Sequence, residues 1–317
     1  MSIKKIGLMD FGTRSKKMDS LSIIESVIDD AVLAEKLGFH RLWYGEHFIT
    51  SANSPWFSPD MLLPLICGNT NSIRVGVAGV LVGYTSPIRT ASSYKMLNNL
   101  FNNRIDLGFA KGTPGSNFLP YFSQPKITSY EEGVQNIQNQ ITAISSLLHH
   151  EDEHVKNGVI LSPYKGAVPS LWNLGGSPHS YQASLGNQLN CSRTLFHKGV
   201  NLEKGLDNLK SYRDDFYKQY GRLPEVNIAL AGFTSPNKTK RAEVVALSEA
   251  EFDFVEPTTR LCCEPQELLD KLSAYAEQYD ADEVIFYDLA RNPEDRRESM
   301  AWISEVFGMK NKQQLVA

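Results

Sequence analysis

The stretch Asn103-Arg104-Ile105-Asp106-Leu107-Gly108-Phe109-Ala110-Lys111-Gly112-Thr113-Pro114-Gly115-Ser116-Asn117 decides how this chain folds. Its first half is a compact apolar run, Ile105 to Ala110, the pattern of a short strand buried on both faces. The run stops at Lys111. Glycine, proline and serine then make a loop that is neither helix nor strand interior. Chemistry in a parallel α/β protein gathers at the C-terminal ends of strands, so Lys111 marks the functional face.

Outward from this stretch, strands and helices alternate. Towards the N-terminus the sequence predicts strands at Ile3–Met9, Arg41–Tyr44 and Ile73–Val82. Helices follow them: one from Ser22 that stops at Gly38, a short one over Asp60–Asn69, and one opened by Pro87. Towards the C-terminus strands are expected at Ser170–Leu174, Cys191–Phe196, Glu225–Ala231 and Glu283–Tyr287, separated by helices that end with Pro293–Phe307. The polar connector His149–Pro169 suits a small hairpin around Asn157-Gly158, and Glu249–Cys263 reads as less regular. Strands alternating with helices imply a parallel sheet. The count of eight favours closure into a (β/α)8 TIM barrel, one domain over residues 1–317 with 309–317 as a frayed tail.

Composition narrows the partners. The chain has 317 residues, 21% charged, with a formal net charge of -4, which gives no footprint for nucleic acid or a membrane surface. The expected partner is a small molecule. Four cysteines without C-x-x-C spacing, no signal peptide and no apolar run of about 18 residues suggest a cytoplasmic chain.

Residues just past the strands are the site candidates: Asp10, Glu46 with His47, Gly79 with Leu81, Lys111 with Asn117, Gly175 to Ser177, and His197. Gly175-Gly176-Ser177-Pro178-His179-Ser180 puts free backbone N–H groups and a helix start beside Lys111, a combination suited to phosphate. Taken alone, the Gly-Gly-Ser element reads as only a turn and cap. His47 alone reads as a satisfied loop residue, and its position at a strand end is what recommends it. The cluster His149, His150, Glu151, Asp152, Glu153, His154 has the composition of a metal site, but lies in a connector on the N-terminal side and reads as a solvated charged loop. Cys262 and Cys263 read as packing residues. No Gly-x-Ser-x-Gly elbow presents a serine nucleophile.

Five segments in order and spacing carry a family resemblance: Leu42-Trp43-Tyr44-Gly45-Glu46-His47, Arg74 to Leu81, Ser86-Pro87-Ile88-Arg89, Asn103 to Gly108, and Leu174-Gly175-Gly176-Ser177. Together they resemble the bacterial luciferase-like flavin-dependent monooxygenases, in particular the single-chain branch associated with natural-product biosynthesis. The resemblance implies a (β/α)8 barrel, reduced FMN (FMNH2) as cofactor supplied by a separate flavin reductase, dioxygen as co-substrate, oxidation of a small organic substrate through a C4a-peroxyflavin, and a homodimer. It further implies that Lys111 replaces the arginine that holds the FMN phosphate, with Ser177 and Ser180 as hydroxyl partners and Gly175 and Gly176 as the approach. His47 matches the proton-handling histidine, Glu46 its acidic neighbour, and Ala78-Gly79 a non-proline cis peptide under the flavin ring. Asn117 stands where relatives carry an aspartate; an amide hydrogen-bonds but does not exchange a proton at neutral pH, which shifts proton work to His47. Trp56, Phe57, Phe118, Tyr121 and Phe122 are substrate-pocket candidates on the same face. Two other readings stay open: a flavin-binding protein without turnover, and a flavin- or deazaflavin-dependent hydride-transfer enzyme.

Overall fold

The run Ile105–Ala110 is a strand, β4, buried along its length except at its last residue. The structure, a computed structural model, describes residues 5–48, 54–122, 130–175, 184–203 and 206–309. Three strands precede β4: β1 (Ile6–Asp10), β2 (Arg41–Tyr44) and β3 (Arg74–Leu81). After it come β5 (Ser170–Leu174), β6 (Asn190–Thr194), β7 (Val226–Thr234), β8 (Leu261–Cys263) and β9 (Glu283–Asp288).

All pairings between these strands are parallel. Pairing runs from β1 to β6 in sequence order, β6 meets β7, β7 meets β9, and β9 returns to β1. Eight strands therefore close into a parallel barrel, as the alternation predicts. The ninth, β8, pairs only with the end of β7, at Gly232, Phe233 and Thr234. It falls in the segment read as less regular, because three residues are too few to carry a period.

The helices around the barrel include α1 (Ser20–Leu37), α2 (Leu62–Asn69), α3 (Pro87–Leu100), α4 (Tyr130–His149), α5 (Glu151–Val155), α6 (Leu206–Tyr220), α7 (Lys238–Glu251), α8 (Pro265–Gln278) and α9 (Pro293–Val306). Their ends follow local rules. Asp19 caps α1 by accepting from the N–H groups of Leu21 and Ser22, and Gly38 closes it at φ 87°. Ile23, Val27, Ala31 and Ala34 of α1 lie on one face at helical spacing and are buried in the main core. Among the described residues no helix is long and apolar enough to cross a membrane.

The connector after α4 departs from the expectation. No strand forms at Asn157-Gly158; α5 and turns fill that segment. Nor is the histidine-rich stretch simply solvated. Glu151 is paired with Lys95 of α3, whose side chain is fully buried, and it also accepts from the Lys165 N–H at 3.2 Å. A buried lysine demands such a partner, and this pins α5 to the barrel wall. Among the described residues no three His, Cys, Asp or Glu side chains gather as a metal site.

The lower, N-terminal end of the barrel interior is closed by charge. The Arg41 guanidinium, fully buried, lies 3.1 Å from carboxylate oxygens of Asp106, Glu225 and Glu283, and 4.4 Å from the Trp172 ring. Arg74 adds a 2.7 Å bond to Asp106. Burial, opposed by Arg41, pushes the Glu283 carboxyl up to about 7.

Candidate active site

At the opposite, C-terminal end the strands open into a cavity of about 990 Å³, at the upper end of what small-molecule sites occupy. Its construction starts with glycines. Val77 pairs with Leu107 and Val80 with Phe109, so Ala78 and Gly79 together face the single residue Gly108. This is a bulge, a device that turns a strand's end towards a site. A side chain at Gly79 would meet the Gly108 carbonyl oxygen at 2.8 Å and Leu174 at 2.4 Å, so only glycine permits the approach. The Ala78–Gly79 peptide is cis, and both residues line the cavity.

Glu46 and His47 follow β2 directly. Glu46 is buried in the cavity wall, where one carboxylate oxygen accepts from the Leu81 N–H at 2.9 Å. Burial pushes its carboxyl up to about 7; the Leu81 N–H opposes this and Asp60 reinforces it. His47 is open to the cavity, its ring 4.7 Å from Phe11, its main-chain N–H held by the Phe57 carbonyl at 3.0 Å. The protein around the imidazole, and His197 across the cavity, hold it below its ordinary pKa. A neutral ring at pH 7 keeps one N–H and one lone pair.

Lys111 stands on the cavity rim directly after β4, its ammonium shifted below the usual lysine range by burial. The loop after it is tied to the β2 loop by a bond from the Gly115 N–H to the Phe48 carbonyl, 3.1 Å. Gly175, at φ 142° and with open space where a side chain would stand, lines the cavity beside β6. The expected partners Gly176, Ser177 and Ser180 lie outside the described residues. Asn117 sits in an exposed turn, and is not among the residues lining the cavity.

The aromatic candidates divide. Phe57, Phe118 and Phe122 surround Phe48, with ring centroids 5.1 to 5.8 Å away, and Phe48 lines the cavity. Trp56 instead donates from Nε1 to the Gly45 carbonyl at 2.9 Å and packs on Tyr44, a structural placement. Tyr121 is 86% exposed. Asp10, although it ends β1, is consumed by ion pairs with Arg14 at 2.8 Å and Arg296 at 3.1 Å; these outweigh burial and hold its carboxyl at about 2.

Lining residues that the strand-end rule left without a role are Phe11, Phe196, His197, Lys198 and Phe254. His197 and Lys198 were accessible to that rule, since they follow β6. Phe254 was not, because a non-local bridge between His197 and Val255 brings it in.

Comparisons with known proteins bear on the family and the fold. Residues 5–306 match the family model described as luciferase-like monooxygenase. The uncharacterized protein YceB of Bacillus subtilis is 27% identical over 67% of this chain and 62% of its own length. The oxygenase component of flavin-dependent trigonelline monooxygenase from Acinetobacter baylyi is 24% identical over 64% of this chain and 57% of its own. The chain thus spans somewhat under two thirds of the length of these two relatives. The crystal structure of apo-MsnO8 superposes with a TM-score of 0.80 at 20% identity, covering 97% of this chain and 99% of that one.

Proposed function

The chain belongs to the luciferase-like monooxygenase family, and from that premise we propose that it oxidises a small organic substrate with dioxygen and reduced FMN, as the oxygenase component served by a separate flavin reductase. One observation carries this reading: Glu46, His47, Ala78, Gly79, Lys111 and Gly175, drawn from four neighbouring strands, all line a single cavity.

The residues present fit such a cofactor. Lys111 supplies a cation at the rim for the phosphate. Gly175 leaves backbone open to close approach, and Ala78, Leu81 and Leu174 offer apolar wall for a flat ring system. Bound there, reduced flavin supplies the electrons that activate dioxygen. The chain's own part is to hold and protect. The apolar wall keeps water from the ring. His47, neutral and open to the cavity, is placed to accept or return a proton at its free ring nitrogen. Glu46 keeps its proton up to about pH 7 and fixes the main chain at Leu81 beside the ring site.

The test is retention of reduced flavin. Photoreduced FMN mixed with the protein under air should regain its oxidised absorbance more slowly than FMN alone, because the cavity shields it. Reoxidation at the free rate, with FMN bound, would leave a flavin-binding protein without turnover as the better reading.

A further inference from the structure

In the same cavity as His47, the segment after β6 forms a hydrogen-bonded wall with its own chemistry. His197 bridges Val255 in antiparallel fashion, the Lys198 N–H donates to the Phe254 carbonyl at 2.9 Å, and the Glu256 N–H donates to the Phe196 carbonyl at 2.7 Å. Arg193 closes the far end of the segment by donating to the Asn201 carbonyl at 2.7 Å. The His197 ring packs against Phe196 at 4.7 Å and Phe254 at 5.9 Å while remaining open to the cavity.

The charge along the cavity is one-sided. Among the described residues, Lys111 and Lys198 are its cationic lining residues and Glu46 is the carboxyl that lines it. Glu46 is already engaged with the Leu81 N–H. Glu256 interacts with Lys198 from outside the cavity lining, and the Thr258 N–H at 3.3 Å and the Thr258 hydroxyl at 3.0 Å hold its carboxylate there. Lys111 directly follows β4 and Lys198 lies in the loop after β6, two strands on in the ring, where strand axes are about 10 Å apart at the usual spacing. One phosphate at the β4–β5 end therefore leaves the second cation for another anion.

We propose that His197 and Lys198 recognise the organic substrate, and that this substrate is a carboxylic acid with an aromatic or apolar body. Lys198 pairs with the carboxylate. The body lies on Phe196, Phe254 and Phe11. His197 supplies a directional hydrogen bond from a ring already fixed by its two aromatic neighbours. The inference rests on the flavin reading only in giving Lys111 to the phosphate.

Benzoate and benzyl alcohol, two probes of equal body and different charge, test it by calorimetric titration with oxidised FMN present. Benzoate should bind about tenfold more tightly than benzyl alcohol, the size expected of one charge-assisted contact. Lys198→Met should abolish that preference, and His197→Phe should weaken benzoate several-fold, with FMN affinity and melting temperature unchanged in both. Lys111→Met should do the reverse, weakening FMN and keeping the preference. Equal binding of the two probes, a preference that survives Lys198→Met, or displacement of FMN by benzoate would each overturn the proposal. Loss of FMN binding in the unaltered protein, with the benzoate preference intact, would count against the flavin reading and leave this one standing.

Discussion

The two ends of the barrel interior hold similar residue types in opposite circumstances. At the lower end Arg41, Arg74, Asp106, Glu225 and Glu283 face one another at 2.7 to 3.1 Å. At the upper end Glu46, His47, Lys111 and His197 face a cavity. Glu283 and Glu46 make the contrast sharpest, since burial pushes both carboxyls to about 7. One belongs to a closed charge network beneath the core, and the other lines the space where a ligand would sit. A perturbed carboxyl therefore identifies a site only through what surrounds it.

The comparison breaks most forcefully at the lower end. Arg41→Met leaves three carboxylates without their shared cation and should cost about 3–5 kcal/mol of stability, as removal of one partner of a buried ion network does. Denaturant unfolding measures this. A loss below about 1 kcal/mol would reduce the network to the rank of surface pairs. FMN affinity, measured well below the melting temperature, should not change.

Next in size is the upper end. Lys111→Ala should weaken FMN by about 1.5–3 kcal/mol, the range for a hydrogen bond to a charged group, and alter stability by less than about 0.5 kcal/mol. Fluorescence titration with FMN and a thermal melt decide it. Unchanged affinity would move the phosphate site away from β4.

The finest test uses the two glutamates together. Each has a folded pKa above its ordinary 4.5, so each stabilises fully below about pH 4.5 and loses that contribution as the pH rises through about 7. Glu46→Gln and Glu283→Gln should both flatten the fall in stability across that window, seen in melting temperature against pH. Only Glu46→Gln should also reshape the pH profile of substrate oxidation near 7. A matching change from Glu283→Gln would mean that the two ends are coupled through the strands.

How far the site was readable follows the same division. Arg41–Tyr44, Ile105–Ala110 and Ser170–Leu174 carry their bounds in the sequence as well as in the structure, because each is a short apolar or aromatic run closed by charge, glycine or a loop. β8 was illegible, being three residues long and defined by β7. The hairpin expected at Asn157-Gly158 failed because a turn signal makes a hairpin only between two strand-forming runs, and the flank here is α5, held by Lys95. Glu46, His47 and Lys111 could be found from the strand-end rule. That rule also nominated Asp10, which two arginines have claimed, and Asn117, which faces solvent.

The sequence by itself determined the alternation of strands and helices, and with it a parallel barrel whose functional face follows the strand ends. It did so because burial periodicity, caps and breakers are local, and eight repetitions of a local pattern leave few topologies. Tertiary structure alone decided which charged residues are satisfied and which line the cavity. Arg14 is close to Asp10 in sequence, but Arg296 lies almost the whole chain away, and Phe254 reaches His197 through a bridge that no local signal announces. Whether a side chain is spent on a partner or open to a ligand depends on such distant neighbours, and closure of the barrel is what brings them together.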